Sequence, residues 1–260
     1  TTEIYTLSLH DALPISSQIE FGPLVSPISF RHPALTARMA AAVDDLSSGR
    51  LILGLGAGWQ EREHHLYGFE LLDMNERFVR FEEGLQVISS LLQSQQTVEF
   101  EGKYFQLREA QLLPKPSRLG GPPILIGGNG ERRTLPLVAR FASEWNALFL
   151  TPEEFRRLNT TLDKFLEEEN RRPDSVKRSM MTGCVVGKST DDVINKVQSR
   201  SQGKTCVDDL RKRGLIVGTV EEIRTQLSVL EDVGLQRVML QWLDLDDLDG
   251  LRLLASGIIC

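Results

Sequence analysis

Strand-length apolar runs and helix-period stripes alternate along this chain from residue 17 to its C-terminus, and that alternation limits the fold more than any single motif. Strand-like runs occupy residues 19–26 (interrupted by Gly22-Pro23), 50–55, 124–128, 145–150, 180–187 and 237–243. Between them the apolar period changes to three or four residues. Pro33 opens one such stretch, with Leu35, Met39, Val43 and Leu46 on one face and Ser47-Ser48-Gly49 to close it. Phe78, Phe81, Leu85, Ile88 and Leu92 form the clearest amphipathic helix. Further helices are predicted through Leu135 and Val138, through Phe155, Leu158 and Leu162, through Ile223, Leu227 and Leu230, and over residues 248–259. Residues 188–215 are polar and predict only a helix through Val193 and Val197 and a variable connection. Residues 97–107 turn at Glu101-Gly102 as an inserted hairpin. Strand–helix units in strict succession predict an α/β fold with a parallel sheet. An open doubly wound sheet and a closed barrel both fit. Units of about 40 residues would need about 325 for a complete eightfold barrel, which is inside the usual range.

Composition narrows the function. Of 260 residues 41% are hydrophobic and 25% charged, with a net charge of -6 and no basic stripe, so nucleic acid is not an expected partner. No apolar run is long enough to span a bilayer, and no membrane partner is expected. Cys184, Cys206 and Cys260 are odd in number and lack metal-ligand spacing, which suits free thiols in a reducing cytoplasm. Glu61, Glu63, His64 and His65 lack the HExxH spacing, and adjacent histidines in a charged loop are expected to be solvated, so no metal is expected. Residues 1–16 (TTEIYTLSLHDALPIS) resemble, residue for residue, a translated sequencing adapter. They are set aside as foreign, with the native sequence starting near Ser17.

Three turns carry the candidate chemistry, each just after the C-terminal end of a predicted strand: residues 26–33, 56–59 and 127–130. Gly127-Gly128-Asn129-Gly130 joins the apolar run Ile124-Leu125-Ile126 to a helix. A glycine turn there leaves backbone N–H groups for a phosphate or another anion, or is simply a tight connection. His32, before Pro33, suits either a pocket or a capping role.

Over these residues the chain resembles the luciferase-like monooxygenase superfamily, and within it the deazaflavin (coenzyme F420)-dependent oxidoreductases. The strings that carry the likeness are FGPLVSPISFRHPALTARMAAAVDDLSSGRLILGLGAGW, NERFVRFEEGLQVI, FEGKYFQL, PPILIGGNGERRTLPLVARFA and WNA. The resemblance implies a (β/α)8 TIM barrel, here lacking strands one and two and their helices, with residues 17–260 as a partial barrel. It implies a deazaflavin, or alternatively FMN, across the C-terminal mouth. A non-proline cis peptide is implied near Pro23–Leu24. Leu24 and Val25 would back the ring and Ser26 would bond its edge. Gly56, Ala57 and Gly58 would let the backbone approach, and Gly127, Gly128, Asn129 and Gly130 would hold the phosphate, with Arg132 or Arg133 adding charge. Trp59, His32 and His64 are candidates for the substrate pocket. Trp59 stands where a sugar-phosphate dehydrogenase of this superfamily carries a glutamate acid, so neither that substrate nor that acid is implied.

The resulting expectation is a cytoplasmic oxidoreductase that moves a hydride between coenzyme F420 and a small organic substrate. An FMN-dependent monooxygenase is the alternative. A non-catalytic flavin-binding protein, its mouth filled by Trp59, Phe30 or the hairpin, is a third reading. A homodimer of the full-length parent is allowed for. A barrel without two strands has open sheet edges, so poor solubility and no turnover are expected of this sequence by itself.

Overall fold

The computed structural model describes residues 17–258; the segment read as foreign and Cys260 lie outside them. The chain forms two compact units, the first ending at Glu144 and the second beginning at Trp145.

In the first unit a single parallel bridge between Phe21 and Leu51 precedes β1 (Ser26–Pro27), so most of the predicted first strand is irregular backbone. A 3-10 turn, Ile28–Phe30, leads to α1 (Pro33–Leu46). Then come β2 (Leu53–Gly56), the short α2 (Glu61–Tyr67) and α3 (Met74–Gln93). The hairpin is β3 (Val98–Glu101) with β4 (Gln106–Ala110), paired antiparallel. It is followed by β5 (Ile124–Gly127) and α4 (Thr134–Phe141). The strands β1, β2 and β5 lie side by side and parallel, with Pro27 opposite Gly56 and Leu55 opposite Ile126. Their carboxyl ends therefore share one edge.

Helix α1 buries a different face from the one its large apolar residues predict. Leu35 and Leu46 are 50% and 71% exposed, and the buried positions are Pro33, Ala37, Ala40, Ala41 and Asp44. Helix α1 packs against α3, and its buried face is built of alanines, whose methyl side chains permit a closer approach than leucines do. Asp44 is tolerated inside because its carboxylate accepts the Leu51 N–H at 3.2 Å and pairs with Arg118 at 3.1 Å. Helix α3 also fastens the hairpin. The Glu83 carboxylate accepts the backbone N–H groups of Lys103 and Tyr104 at 2.8 Å and that of Phe105 at 3.2 Å.

The boundary falls after the first residue of β6 (Glu144–Leu148), which is followed in the second unit by α5 (Pro152–Glu168), started by a Thr151/Glu154 capping box. Trp145 is fully buried and stacks on Phe155, with centroids 5.3 Å apart. Next is β7 (Lys177–Val186), which neighbours β6. The stretch predicted as one helix and a variable connection holds α6 (Thr190–Ser201), α7 (Val207–Lys212) and a further strand, β8 (Ile216–Gly218). Three residues are too few to show a strand period, which is why β8 is invisible in the sequence. Helix α8 (Val220–Asp232), strand β9 (Arg237–Gln241) and helix α9 (Leu248–Ile258) complete the unit. Both β8 and β9 pair with β7 in parallel. Cys184, on β7, is a buried thiol that desolvation pushes up to about 11, so it stays protonated and serves packing.

The acidic run before α9 is a helix start. Asp247 bonds Lys196 Nζ at 2.7 Å and the Gly250 N–H at 2.8 Å, and these partners hold its carboxyl below the ordinary range. A depressed folded value means that this stabilisation is complete above about pH 4 and disappears as pH falls through that value. Protection of the Gly250 amide against hydrogen exchange should fall as the solution is acidified below that point. In Asp247→Asn the amide should lose this acid dependence.

Candidate functional site

The shared carboxyl edge of β1, β2 and β5 gathers the three sequence-predicted turns within the first unit. A non-proline cis peptide is present there, but it joins Leu24 to Val25, one residue later than the resemblance suggested. The Val25 side chain lies against glycines of β2 and β5. A methyl group added at Gly56 would come 2.7 Å from Val25 Cγ2, and one at Gly127 would come 3.1 Å from Cγ1. Glycine is needed at these two places first to seat Val25, and through it to bring three strand ends onto one side chain. Leu24 is partly exposed beside it, and Ser26 opens β1.

On the other side of this edge, Gly128 and Gly130 pack against Thr134, the first residue of α4. The Thr134 and Leu135 N–H groups both donate to the Gly130 carbonyl, so the helix begins only after the turn has closed. Arg133 is turned aside, bonded to Asn75 Oδ1 at 2.6 Å and lying over the Phe78 ring. Arg132 is exposed.

The turn after β2 is the most tightly fixed. Gly58 has φ +86, a conformation that favours glycine. Its carbonyl accepts from Arg77 Nη1 at 3.1 Å, while Arg77 Nε and Nη2 hold the Leu72 carbonyl. Beside it, His64 is 2% exposed, contrary to the solvated histidine that its charged loop suggested. Its Nδ1 is 2.8 Å from the Gln60 carbonyl, and its Nε2 is 2.8 Å from Ser29 Oγ. A carbonyl oxygen can only accept, so Nδ1 carries the proton and Nε2 receives the Ser29 hydroxyl. Phe30 covers the imidazole at 5.1 Å and stacks on Phe69 at 4.6 Å. The charged sequence of α2 hides this burial, whereas the apolar Phe30 and Phe69 on either side of the turn are the signal that could have shown it.

Trp59 is 77% exposed, while Phe30 lies against the His64 and Phe69 rings. His32 caps α1: its Nδ1 accepts the Ala34 N–H at 3.2 Å, and its ring meets Phe105 of the hairpin edge-on. Of the three pocket candidates, His64 is therefore inside the turn, His32 is at a helix start and Trp59 is on the surface. Sequence reading missed Ser29 and Arg77, since one serine and one arginine carry no pattern without their partners.

The chain is 30% identical over 200 residues to the phthiodiolone/phenolphthiodiolone dimycocerosates ketoreductase of Mycobacterium tuberculosis (strain ATCC 25618 / H37Rv), a match covering 76% of this chain and 51% of that enzyme. It thus spans about half the length of the curated relatives it matches. Among solved structures it resembles the coenzyme F420 dependent tetrahydromethanopterin reductase from Methanopyrus kandleri, with TM-score 0.81 and 20% identity over 98% of this chain and 86% of that one. It also resembles the oxygenating constituent of 3,6-diketocamphane monooxygenase from Pseudomonas putida in complex with FMN, with TM-score 0.76 and 16% identity over 95% of this chain and 80% of that one. These likenesses show the fold, an α/β fold with parallel strands of the luciferase-like barrel type. No helix among the described residues is long and apolar enough to cross a membrane. With the match running through residues 12–237, the chain belongs to the luciferase-like monooxygenase family.

Proposed function

We propose that the chain is the coenzyme-binding part of a deazaflavin-dependent oxidoreductase acting between an alcohol and a ketone. The observation that carries this reading is the convergence of Gly56 and Gly127 on Val25, at the Leu24–Val25 cis peptide. A flat ring needs a firm apolar backing beside backbone that stands clear of it, and these residues fit that need. Leu24 and Val25 would back the ring, with Ser26 at its edge. Gly56, Ala57 and Gly58 would border it, and the turn of Gly127, Gly128, Asn129 and Gly130 would hold the phosphoryl end. When bound, a deazaflavin supplies the hydride acceptor or donor, and the protein orients substrate against it. The deazaflavin is favoured over FMN, and a carbonyl or alcohol substrate over others, by likeness to the F420-dependent reductase and the ketoreductase.

The turns proposed to hold the coenzyme all lie in the first unit, so saturable binding is the expected result, whether or not turnover follows. Oxidised coenzyme F420 titrated into the purified chain should show saturable fluorescence quenching, with FMN bound at least about tenfold more weakly, a difference of about 1.4 kcal/mol. Tighter binding of FMN would turn the reading to a monooxygenase. Binding of neither would sink it.

A further inference from the structure

We propose that Ser29 takes the hydroxyl proton of the substrate alcohol, or returns it to the ketone, with His64 relaying that proton through Nε2. The proposal rests on the deazaflavin reading above and assigns the proton that hydride transfer leaves over.

Three observations place the pair. First, the hydrogen bonds are directional: Ser29 Oγ is 2.8 Å from His64 Nε2, and Nδ1 is committed to the Gln60 carbonyl at 2.8 Å. The imidazole thus offers Ser29 a basic nitrogen and has a fixed acceptor behind it for the charge that a second proton brings. This is the geometry of an activated hydroxyl with an oriented base. Second, the two members differ in burial. His64 is buried under Phe30, whereas Ser29 is only partly buried, so the hydroxyl is the accessible end of the hydrogen bond. Gly58 packs closely against both, and Arg77 holds the Gly58 carbonyl. Third, the pair belongs to the same edge as the proposed ring seat. Ser29 is two residues beyond Pro27, within the 3-10 turn, and Gly58 is two beyond Gly56, and Pro27 and Gly56 are register partners.

In the oxidative direction the carbinol C–H bond would break, and a bound, oxidised deazaflavin would supply the acceptor for its hydrogen and electron pair. The hydroxyl proton moves to Ser29 Oγ as the proton of Ser29 moves to His64 Nε2. The products are the ketone, the reduced coenzyme and an imidazolium held through Nδ1 by Gln60, which then loses one proton to solvent. Reduction runs the same transfers backwards. Trp59, exposed and without a titratable group, does not compete for this task.

The test uses the full chain loaded with coenzyme F420, histidine nitrogens labelled for NMR, and tert-butanol as probe, an alcohol with no carbinol hydrogen to lose. The wild-type His64 signal is expected to show a protonated Nδ1 and a hydrogen-bonded, unprotonated Nε2, and saturating tert-butanol should shift Nε2. Ser29→Ala should abolish that shift with coenzyme affinity changed less than about twofold, and Ser29→Thr should restore it. The proposal is overturned by a protonated Nε2, by an Nε2 signal indifferent to tert-butanol, or by an equal shift in Ser29→Ala. Failure of coenzyme F420 to bind at all would instead strike the functional reading on which the proposal stands.

Discussion

Gly54→Ala is expected to unfold the first unit or to destabilise it by about 3 kcal/mol or more, beyond the usual cost of overpacking. The β-carbon would overlap the Pro23 carbonyl oxygen and stand 3.2 Å from Val25 Cγ1. The clash is with backbone, so no rotamer change relieves it. The strand would have to separate from the segment that carries the Leu24–Val25 peptide. Urea denaturation followed by circular dichroism gives the stability change. If the variant stays folded, coenzyme F420 should bind at least about tenfold more weakly, because the displaced segment is the proposed ring backing. A Gly54→Ala protein with unchanged midpoint and affinity would show that Pro23 and Val25 are not held where the structure puts them.

The second large effect is expected in the other unit, at Arg178. Its guanidinium is nearly fully buried on β7 and bonds to Asp163, to the carbonyls of Pro173 and Val176, and to Asn159 Oδ1 at 2.9 Å. Burial lowers its pKa and the neighbouring Asp163 raises it, so the ion pair keeps a desolvated charge in place. Arg178→Met leaves two carbonyls, an amide oxygen and a carboxylate without their shared donor. Removing one partner of a buried pair costs about 3–5 kcal/mol. Asp163→Asn should cost much less, because Asp163 is partly exposed and its amide can still accept one bond. Denaturant midpoints of the two variants should therefore separate widely. Similar midpoints would mean that the carboxylate, and not the carbonyl contacts, is what Arg178 is held for.

Where the sequence is legible, it is because a periodic stripe decides the outcome. The stripe of α3 from Phe81 to Leu92 is buried as its spacing predicts, and the apolar run before Gly127 is a strand. Helix α1 shows the limit. Its leucines and methionine form a regular stripe, but Ala37, Ala40 and Ala41 form another, and only the facing helix determines which is covered. Strand β8 is too short to carry a period. The candidate site divides in the same way. Glycines mark the turns from sequence alone, but the reason for Gly56 and Gly127 is Val25, a residue of another strand. Likewise His64 is an unremarkable residue of a charged helix until Ser29, Gln60 and Phe30 are seen around it.

The grip of Glu83 on the hairpin has a consequence for how anything reaches this edge. Three main-chain donors on one carboxylate weld the bend between β3 and β4 to a long helix, and Phe105 carries that rigidity to the His32 ring. The hairpin is a doorpost and not a door. A visiting molecule meets a fixed contour there, and any swinging needed to admit it has to come from some other stretch of chain.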